Sequence, residues 1–544
     1  MTSADMSRRL CIHTVEGGLY KGFNPTVALS AKLAILVLVI GLIGFPTAAA
    51  TFTESLRDMT LWFFASWYVY LLGVFVVFCI LLALHPISAR IKMGRHGDIP
   101  EHSTQSWLAM MFCAGIGVGI LAFSVSGPIS HFTTNPDIIA GLVPAASDET
   151  FSSALRFTYL HWGFSAWGCY AVTGLALGLA CHSHDQPLTM RSALVPLFGR
   201  ALEGPLGHLV DIISILAIIA GVTTTIVLGL EQICSGLSLL TGSPFFADHA
   251  GDPPLVALLT ALVVAIGVAI SSIISGVDRG VKWVSNAGVM AAFGVLIVFL
   301  IAKPDLRLLS ILADGTWTYL KTLPAQIFTV YGSDGSTVAS AQAEWQSKWT
   351  VFYWAWWIAF APFVGLFLAR ISRGRTLREF ILGAMIGPAA MCFIWFSVIG
   401  GSALLLEVDG TAWGRIIAAP HAFRVYETIS LMFDGPWATL MKAAIALLFL
   451  LLIVATSTAA IIAIKSIGAA GGTLSETPTH SLIWALAIAA ISGAVMSVGG
   501  VQSVRDVMIV AAVPFSGIMA LMLVSVLRLI WAGSRPRQRN AVRT

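Results

Sequence analysis

Charged residues are scarce in this sequence. Only 11% of its 544 residues are charged, whereas 57% are hydrophobic, and the mean hydropathy is +0.86. A soluble domain needs a polar surface that this composition cannot supply, so the sequence predicts an all-α polytopic membrane protein. The formal net charge of +4 is small, and we expect no nucleic-acid partner.

Catalytic and metal-binding patterns are also missing. The seven cysteines are scattered, without the spacing of a zinc site or of a disulfide framework. The histidines fall in different segments, and paired carboxylates do not occur. We therefore expect neither an enzyme nor a bound cofactor. The first residues, MTSADMSRRLCIHTVEGGLY, contain no apolar run, so a cleaved signal peptide is not expected either.

Long apolar runs dominate what is present, and they predict twelve transmembrane helices. The runs are 27–50, 61–84, 105–126, 153–181, 208–239, 254–275, 281–302, 348–370, 378–405, 436–465, 481–499 and 506–532. Basic residues concentrate in alternate loops: Arg90, Lys92 and Arg95 follow the second run, whereas loop 127–152 contains neither lysine nor arginine. By the positive-inside rule both termini are cytoplasmic, and we expect a multi-pass protein of the cell inner (plasma) membrane.

The runs divide the chain into six parts. These are a cytoplasmic segment 1–26, two accessory helices in 27–104, a five-helix repeat 105–302, an outer (periplasmic) segment 303–347, a second five-helix repeat 348–532 and a basic cytoplasmic tail 533–544. An odd number of helices per repeat would give the two halves inverted topology. The outer segment contains LLSILADGTWTYLKTLPAQIF, which favours either an interfacial amphipathic helix or a plain loop with a short helix.

Two runs contain helix-breaking residues. In the third run, AGIGVG places Gly115, Gly117 and Gly119 in a hydrophobic segment. This pattern indicates either close helix packing through Gly115 and Gly119 or an unwound stretch whose freed backbone groups bind an ion or an anionic group. The eighth run contains Pro362, where we expect a second interruption. Interrupted helices in corresponding positions of two repeats are typical of a transporter's binding site.

Aromatic rings lie near the centres of two runs rather than at the membrane edges. The rings that share one helix face are Trp356, Trp357 and Phe360 in the eighth run, and Trp162, Trp167 and Tyr170 in the fourth. A quaternary ammonium or sulfonium group has no proton to donate, but it is attracted to the faces of aromatic rings. The two faces therefore indicate an onium-binding site, with a helix-packing seam as the alternative.

With these residues, the sequence resembles the sodium-coupled betaine branch of the betaine/carnitine/choline transporter family over nearly its whole length. The match rests on KWTVFYWAWWIAFAPFVGLFLARISRGRTLREFILG at 348–383, on HWGFSAWGCY and on AGIGVG. The resemblance implies twelve helices, with a five-plus-five inverted repeat of the amino-acid-transporter type preceded by two extra helices, usually assembled as a homotrimer. The tail lacks the long basic extension expected of osmosensing members, so we expect uptake that changes little with osmolality.

The function that the resemblance implies is secondary active import of a methylated onium zwitterion, related to glycine betaine or dimethylsulfoniopropionate. Transport would proceed by sodium symport through alternating access. Proton-coupled or exchange transport of choline- or carnitine-type substrates is the alternative. The expected partners are therefore the small onium substrate, sodium as the coupling ion and membrane lipid.

The resemblance also assigns site residues. The aromatic box would consist of Trp162, Trp167, Tyr170, Trp356, Trp357 and Phe360, with Trp354 at its edge. The substrate carboxylate would meet backbone amides near Gly115, Gly117 and Gly119. Sodium would be held by Ala114, Ile116, Ile453, Thr456 and Ser457, because hydroxyl and carbonyl oxygens suit a hard cation. Without the resemblance, the hydroxyls of Thr456 and Ser457 would be expected to bond back to the preceding turn.

Several positions depart from the family pattern. Proton-coupled choline transporters tend to carry an aspartate where this sequence has Gly119, and betaine carriers usually have tryptophan where it has Phe360. Gly127 and Ala459 stand where acidic residues are common. Glu231, inside the fifth run, is either a proton-linked group or a hydrogen-bonded residue near the outer mouth. The departures imply a substrate related to glycine betaine without being identical to it.

Overall fold

A computed structural model of the chain describes residues 8–95, 97–248, 251–276, 280–332, 335–472 and 478–534. Within these ranges the structure is helical, and its β-structure is limited to two isolated bridges. Ten of the described helical segments are long and apolar enough to cross a membrane, which confirms a polytopic membrane protein. The predicted tail lies almost entirely outside the described residues.

The main helices are numbered along the chain. The first half contains α1 (Pro25–Gly44), α2 (Pro46–Leu84), α3 (Thr104–Cys113), α4 (Val118–Ala122), α5 (Ser126–Thr133), α6 (Thr150–Trp162), α7 (Phe164–Gly178), α8 (Pro205–Thr241), α9 (Leu255–Ile274) and α10 (Lys282–Ala302). The second half contains α11 (Arg307–Gln326), α12 (Thr337–Gln346), α13 (Phe352–Ile371), α14 (Leu377–Trp395), α15 (Gly401–Val408), α16 (Arg424–Met432), α17 (Gly435–Gly468) and α18 (Thr479–Ser534).

Shorter helical turns connect these elements. Single α-helical turns lie at Pro136–Ile139, Val195–Phe198 and Arg415–Ala418, and 3-10 turns lie at Pro86–Ala89, Met190–Leu194, Gly199–Glu203 and His421–Phe423. Three wide π-helical turns at Leu179–Ser183, Ser347–Val351 and Phe396–Gly400 extend α7, join α12 to α13 and join α14 to α15. The eighth predicted run is therefore the C-terminal part of a longer helical segment that begins at Thr337.

The glycine-rich third run is divided into the two short helices α3 and α4 and ends where α5 begins. Residues 114–117 between α3 and α4 are not helical, and Gly117 has extended backbone angles (φ −158°, ψ 178°). Of the two interpretations of AGIGVG, the structure therefore has the unwound stretch. Close packing also occurs at Gly115, where an added Cβ would lie 3.2 Å from the Pro388 carbonyl oxygen of α14.

The expected interruption at Pro362 is wrong. Helix α13 continues through this proline, since one missing N–H removes a single backbone bond and the surrounding packing can hold the helix together. A helix break occurs instead at Gly163, between α6 and α7 (φ −91°, ψ −136°). Gly163 lies in the fourth predicted run, which carries the other aromatic face. A Cβ there would lie 2.7 Å from the Tyr319 hydroxyl oxygen, which accepts a hydrogen bond from the Phe164 amide at 2.8 Å.

The last two predicted runs form one element, α18, with a sharp kink. Gly499 and Gly500 have non-helical backbone angles, and the positive φ of 62° at Gly500 favours glycine. This merger, together with the division of the third run, explains why ten long helical segments occur where the sequence predicts twelve runs.

The outer segment contains the amphipathic helix α11 rather than a plain loop. Leu308, Ile311, Tyr319 and Leu323 are buried at helical spacing, whereas Trp317 on the other face is exposed. At the centre of the fold, α8 packs against α13, α17 and α18, and α7 packs against α13. These contacts place the two predicted aromatic faces beside each other.

Candidate functional site

The two aromatic faces meet in one buried cluster, which we call the aromatic box. The rings of Trp356 and Trp357 on α13 are nearly parallel, with centroids 5.4 Å apart and planes 3° apart. The ring of Trp162, at the end of α6, meets Trp357 edge-on at 5.0 Å and 73°. Tyr170 on α7 approaches the same ring of Trp357 at 6.2 Å and 84°. Three helices thus supply the walls.

The box is closed in this conformation. A cation is attracted to a ring when it lies within about 6 Å of the ring centroid. Because the centroids of Trp162 and Trp357 are only 5.0 Å apart, the two rings already touch each other.

Two hydrogen bonds hold the stacked tryptophans in place. The indole nitrogen of Trp356 donates to the Thr225 hydroxyl on α8 at 3.2 Å. The indole nitrogen of Trp357 donates to the backbone carbonyl of His161 at 2.9 Å, in the residue just before Trp162. These bonds fix the orientation of the two indole rings.

Gly119 lies where the tips of two box tryptophans converge. An added Cβ at this position would be 2.7 Å from Cη2 of Trp356 and 2.9 Å from Cη2 of Trp162. At Gly117, by contrast, an added Cβ would meet nothing within 4 Å. The glycine at 119 is therefore required by the two rings, and a side chain there would push them apart.

The remaining predicted box residues lie farther from the stacked pair. Trp167 contacts Tyr170 at 5.3 Å. Phe360 meets Trp356 edge-on at 6.4 Å, and its ring fills the space beside Gly221 of α8, where an added Cβ would be 2.6 Å from Cδ2. Phe360 therefore packs towards α8. Trp354 is fully buried and its ring lies 5.7 Å from that of His161, in keeping with a place at the edge of the box.

Two further rings belong to the cluster but were missed in the sequence. Tyr353 stacks on Trp356 and Trp357 at 6.3 and 5.9 Å, with its plane 25° from each. Phe123, at the end of α4, lies 5.4 Å from Tyr353 and 6.1 Å from Trp356. Helical spacing could have revealed Tyr353, because residues three and four positions apart share a face. Nothing in the sequence singled out Phe123, which is one of several apolar residues that follow the glycines of the third run.

Comparison with known proteins identifies the family to which this site belongs. Residues 26–534 match the model of the betaine/carnitine/choline transporter family. The chain belongs to this family. The chain is 33% identical over 511 residues to glycine betaine transporter 1 of Vibrio parahaemolyticus, and the match covers 93% of each sequence. It is 30% identical over 470 residues to the glycine betaine transporter OpuD of Bacillus subtilis, covering 85% of this chain and 86% of that one.

A third relative has a broader name. A glycine betaine/proline/choline/ectoine transporter of Vibrio parahaemolyticus is 30% identical over 514 residues, covering 93% of this chain and 86% of its own. The resemblance of the sequence motifs to the betaine/carnitine/choline transporter family is thus confirmed. All three relatives are named as transporters.

Helix α17 packs against α4, which begins directly after the unwound stretch of the third run. Ala114 and Ile116 lie within that stretch and are half-buried. An added Cβ at Gly229 of α8 would be 2.7 Å from Cδ1 of Ile453 on α17 and 2.9 Å from Cγ1 of Val118, the first residue of α4. The backbone expected to hold sodium is therefore next to the helix that carries the hydroxyls.

The hydroxyl of Ser457 is buried and has no hydrogen-bond partner among the described residues. The neighbouring Thr458 behaves differently, because its hydroxyl donates back to the Val454 carbonyl at 2.9 Å. Back-bonding, which was the alternative to a sodium site, is thus observed at Thr458 and not at Ser457. Thr456 is half-buried on the same helix. The oxygen-donor chemistry fits sodium, and no cluster of three metal-binding side chains occurs in the described parts of the chain.

Glu231 lies less than two turns beyond Thr225 on α8 and is close enough to Arg505 of α18 to be affected by its charge. The carboxylate therefore has a positive charge nearby. His421, in the loop before α16, is buried, and burial and the charges of Arg505 and Arg424 hold its pKa well below the usual range. His421 is accordingly neutral at physiological pH.

Proposed function

We propose that this transporter imports a methylated onium zwitterion that resembles glycine betaine, such as dimethylsulfoniopropionate, by sodium symport. The observation that carries the proposal is the parallel pair Trp356 and Trp357 with Trp162 edge-on to it. A permanently methylated cation cannot be held by hydrogen bonding, and large aromatic faces in a water-excluded site are the side chains suited to it. The glycine betaine transporters among its relatives support the same substrate class.

Sodium coupling rests on the unwound residues 114–117 and on Ser457. A buried hydroxyl without a partner is costly, and a cation coordinated by its oxygen removes that cost. A bound sodium ion would also hold the unwound backbone beside Gly119, and so would order one edge of the box. We propose that this linkage makes sodium and substrate bind together.

In alternating access, the aromatic box would open to only one side of the membrane at a time. We propose twelve crossings, counting α3–α5 as one and α18 as two, with a five-plus-five inverted repeat, both termini in the cytoplasm of the plasma membrane and assembly as a homotrimer. The breaks at residues 114–117 and at Gly163 support this mechanism, because each lets one half of a crossing move relative to the other half.

Uptake into proteoliposomes tests the function. With an inward sodium gradient, labelled glycine betaine or dimethylsulfoniopropionate should accumulate above its outside concentration, and replacing sodium by potassium should abolish accumulation. Choline and carnitine serve as the alternative substrates, with a proton gradient as the alternative driving force. Accumulation of choline driven by protons alone, with no response to sodium, would refute the proposal and would direct attention to Glu231.

A further inference from the structure

Arg505 of α18 carries a positive charge close to the aromatic box. Its guanidinium carbon lies 4.9 Å from the centroid of the Phe352 ring. Phe352 comes one turn before Trp356 on α13, and the centroids of these two rings are 5.6 Å apart. The guanidinium is therefore one aromatic layer away from a wall of the box. An ionisable side chain within a membrane-spanning segment is costly and usually marks a substrate or ion pathway.

The guanidinium of Arg505 has no hydrogen-bond partner among the described residues. Its Nε is buried and unpartnered, and its other nitrogens form neither a hydrogen bond nor an ion pair there. The segments that surround it, namely α8, α13, α18 and the turn at His421–Phe423, all lie within the described ranges. Arginine carries five N–H donors, and its contact with the Phe352 ring uses none of them.

Two acids lie near Arg505, and neither forms an ion pair with it. Asp506, the next residue, pairs with Arg57 of α2 at 3.2 Å and accepts a hydrogen bond from Gln502 at 2.9 Å. Glu231 of α8 influences the charge of Arg505 from a distance. Both Glu231 and Arg505 are only partly buried, so each keeps some accessible surface. Arg505 is thus available to an anionic group that does not belong to the chain.

A second unpartnered donor lies beside the same rings. The ring of His421 is 4.9 Å from that of Phe123, which in turn lies 6.4 Å from Phe352 and 6.1 Å from Trp356. The Nε2 atom of His421 is buried without a partner, and a neutral imidazole can donate a hydrogen bond from this atom. A cation and a neutral donor on different segments therefore flank one aromatic layer, which is the chemistry that a carboxylate requires.

The distances suit a zwitterion that reaches from the box to Arg505. An onium group binds within about 6 Å of a ring centroid, and a charge-assisted N–H···O bond spans about 2.8 Å. Two ring contacts of 5.6 and 4.9 Å separate Trp356 from the guanidinium. An onium group and a carboxylate joined by one or two methylene groups match this separation.

We propose that Arg505 binds the carboxylate of the transported zwitterion and so selects zwitterions over onium cations that lack a carboxylate. This inference rests on the proposed function, because it assigns the second charge of the same substrate. The carboxylate would meet a full positive charge in addition to the partial charges of the backbone amides near Gly117. An onium cation such as choline gains no contact from Arg505 and is repelled by its charge.

Ligand binding to the full-length protein in detergent tests this assignment, with tryptophan fluorescence as the signal and sodium present. The ligands are glycine betaine, dimethylsulfoniopropionate and choline, which has a quaternary ammonium group but no carboxylate. Arg505→Gln should weaken the binding of both zwitterions at least about tenfold, because a hydrogen bond between charged groups is lost. It should leave choline binding unchanged or tighter. Arg505→Lys keeps the charge and should retain part of the zwitterion affinity.

Two further variants separate a substrate contact from a structural role. Arg528→Gln removes an exposed arginine near the other end of α18 and should bind all three ligands like the wild type. Glu231→Gln removes the acid that influences Arg505 and should leave zwitterion binding unchanged or tighter. A loss in Glu231→Gln as large as that in Arg505→Gln would mean that the two residues act as a structural pair, and it would overturn the proposal.

The remaining outcomes distinguish this inference from the proposed function. Wild-type zwitterion affinity in Arg505→Gln, or an equal loss for zwitterions and choline, would refute the carboxylate contact. Choline binding by the wild type as tight as glycine betaine binding would refute the selection by Arg505. A wild type that binds none of the three ligands would instead contradict the proposed function itself.

Discussion

The substitution Gly119→Ala tests whether the aromatic box depends on a glycine at the point where the ring tips of Trp356 and Trp162 converge. The new methyl group would lie 2.7 Å from Cη2 of Trp356 and 2.9 Å from Cη2 of Trp162. Ordinary carbon contacts are about 3.5–4.0 Å, so each ring tip must move by roughly 1 Å. The movement would tilt Trp356 away from the 3° alignment with Trp357 and would strain its hydrogen bond to Thr225.

Overpacking of this size costs about 1–3 kcal/mol of folding free energy. If the ligand-binding arrangement of the rings carries this whole cost, substrate affinity falls roughly 5- to 150-fold. Helix propensity acts in the opposite direction, because alanine favours a helix over glycine by about 1 kcal/mol. A loss of affinity would therefore come from the rings and not from unwinding of α4. Binding is measured by tryptophan fluorescence with glycine betaine, and uptake is measured in proteoliposomes.

Gly294→Ala on α10 is the matched control, since an added Cβ there meets nothing within 4 Å. This variant should bind and transport like wild type. If Gly119→Ala binds glycine betaine with the wild-type affinity, then the two tryptophans do not form the binding surface in the way described, and the proposed role of the glycine is wrong.

Other predictions address the box, the ion site and the outer face. Trp357→Ala should abolish measurable binding, whereas Trp357→Phe should keep part of it, because a smaller ring retains a weaker cation–π contact; equal loss in both would contradict a ring-face contact. Ser457→Ala should raise the sodium concentration for half-maximal uptake at least about tenfold, whereas Thr458→Val, whose hydroxyl is already bonded back to its own helix, should not. Arg307 bonds hold the pKa values of Asp305 and Asp409 below the usual range. The two ion pairs therefore stabilise the folded protein above the ordinary carboxyl pKa of about 3.9, and this stabilisation is lost as the pH falls below that value. Below this pH the melting temperature of the wild type should fall more steeply than that of Arg307→Gln.

The sequence predicted the helical membrane class, the apolar runs and the meeting of two aromatic faces, because each depends on local periodicity. It failed where neighbouring elements decide the outcome. Pro362 was expected to break a helix that the packing keeps continuous. The helix break at Gly163 was not predicted, because it involves a hydrogen bond to Tyr319, which is distant in the sequence. The contact of the Phe360 ring with Gly221 of α8 was likewise not visible in the sequence, and its place in the box stays a prediction. Tertiary contacts of this kind cannot be read from one chain's periodicity.

The hydrogen bond between Tyr319 and the Phe164 amide has a mechanical consequence. It ties α11, an amphipathic helix with an exposed tryptophan, to the point where the helix bearing Trp162 gives way to the one bearing Trp167. A displacement of α11 would therefore be transmitted through this bond to the backbone beside Trp162. The amphipathic segment 303–347 is in this way coupled to one wall of the aromatic box.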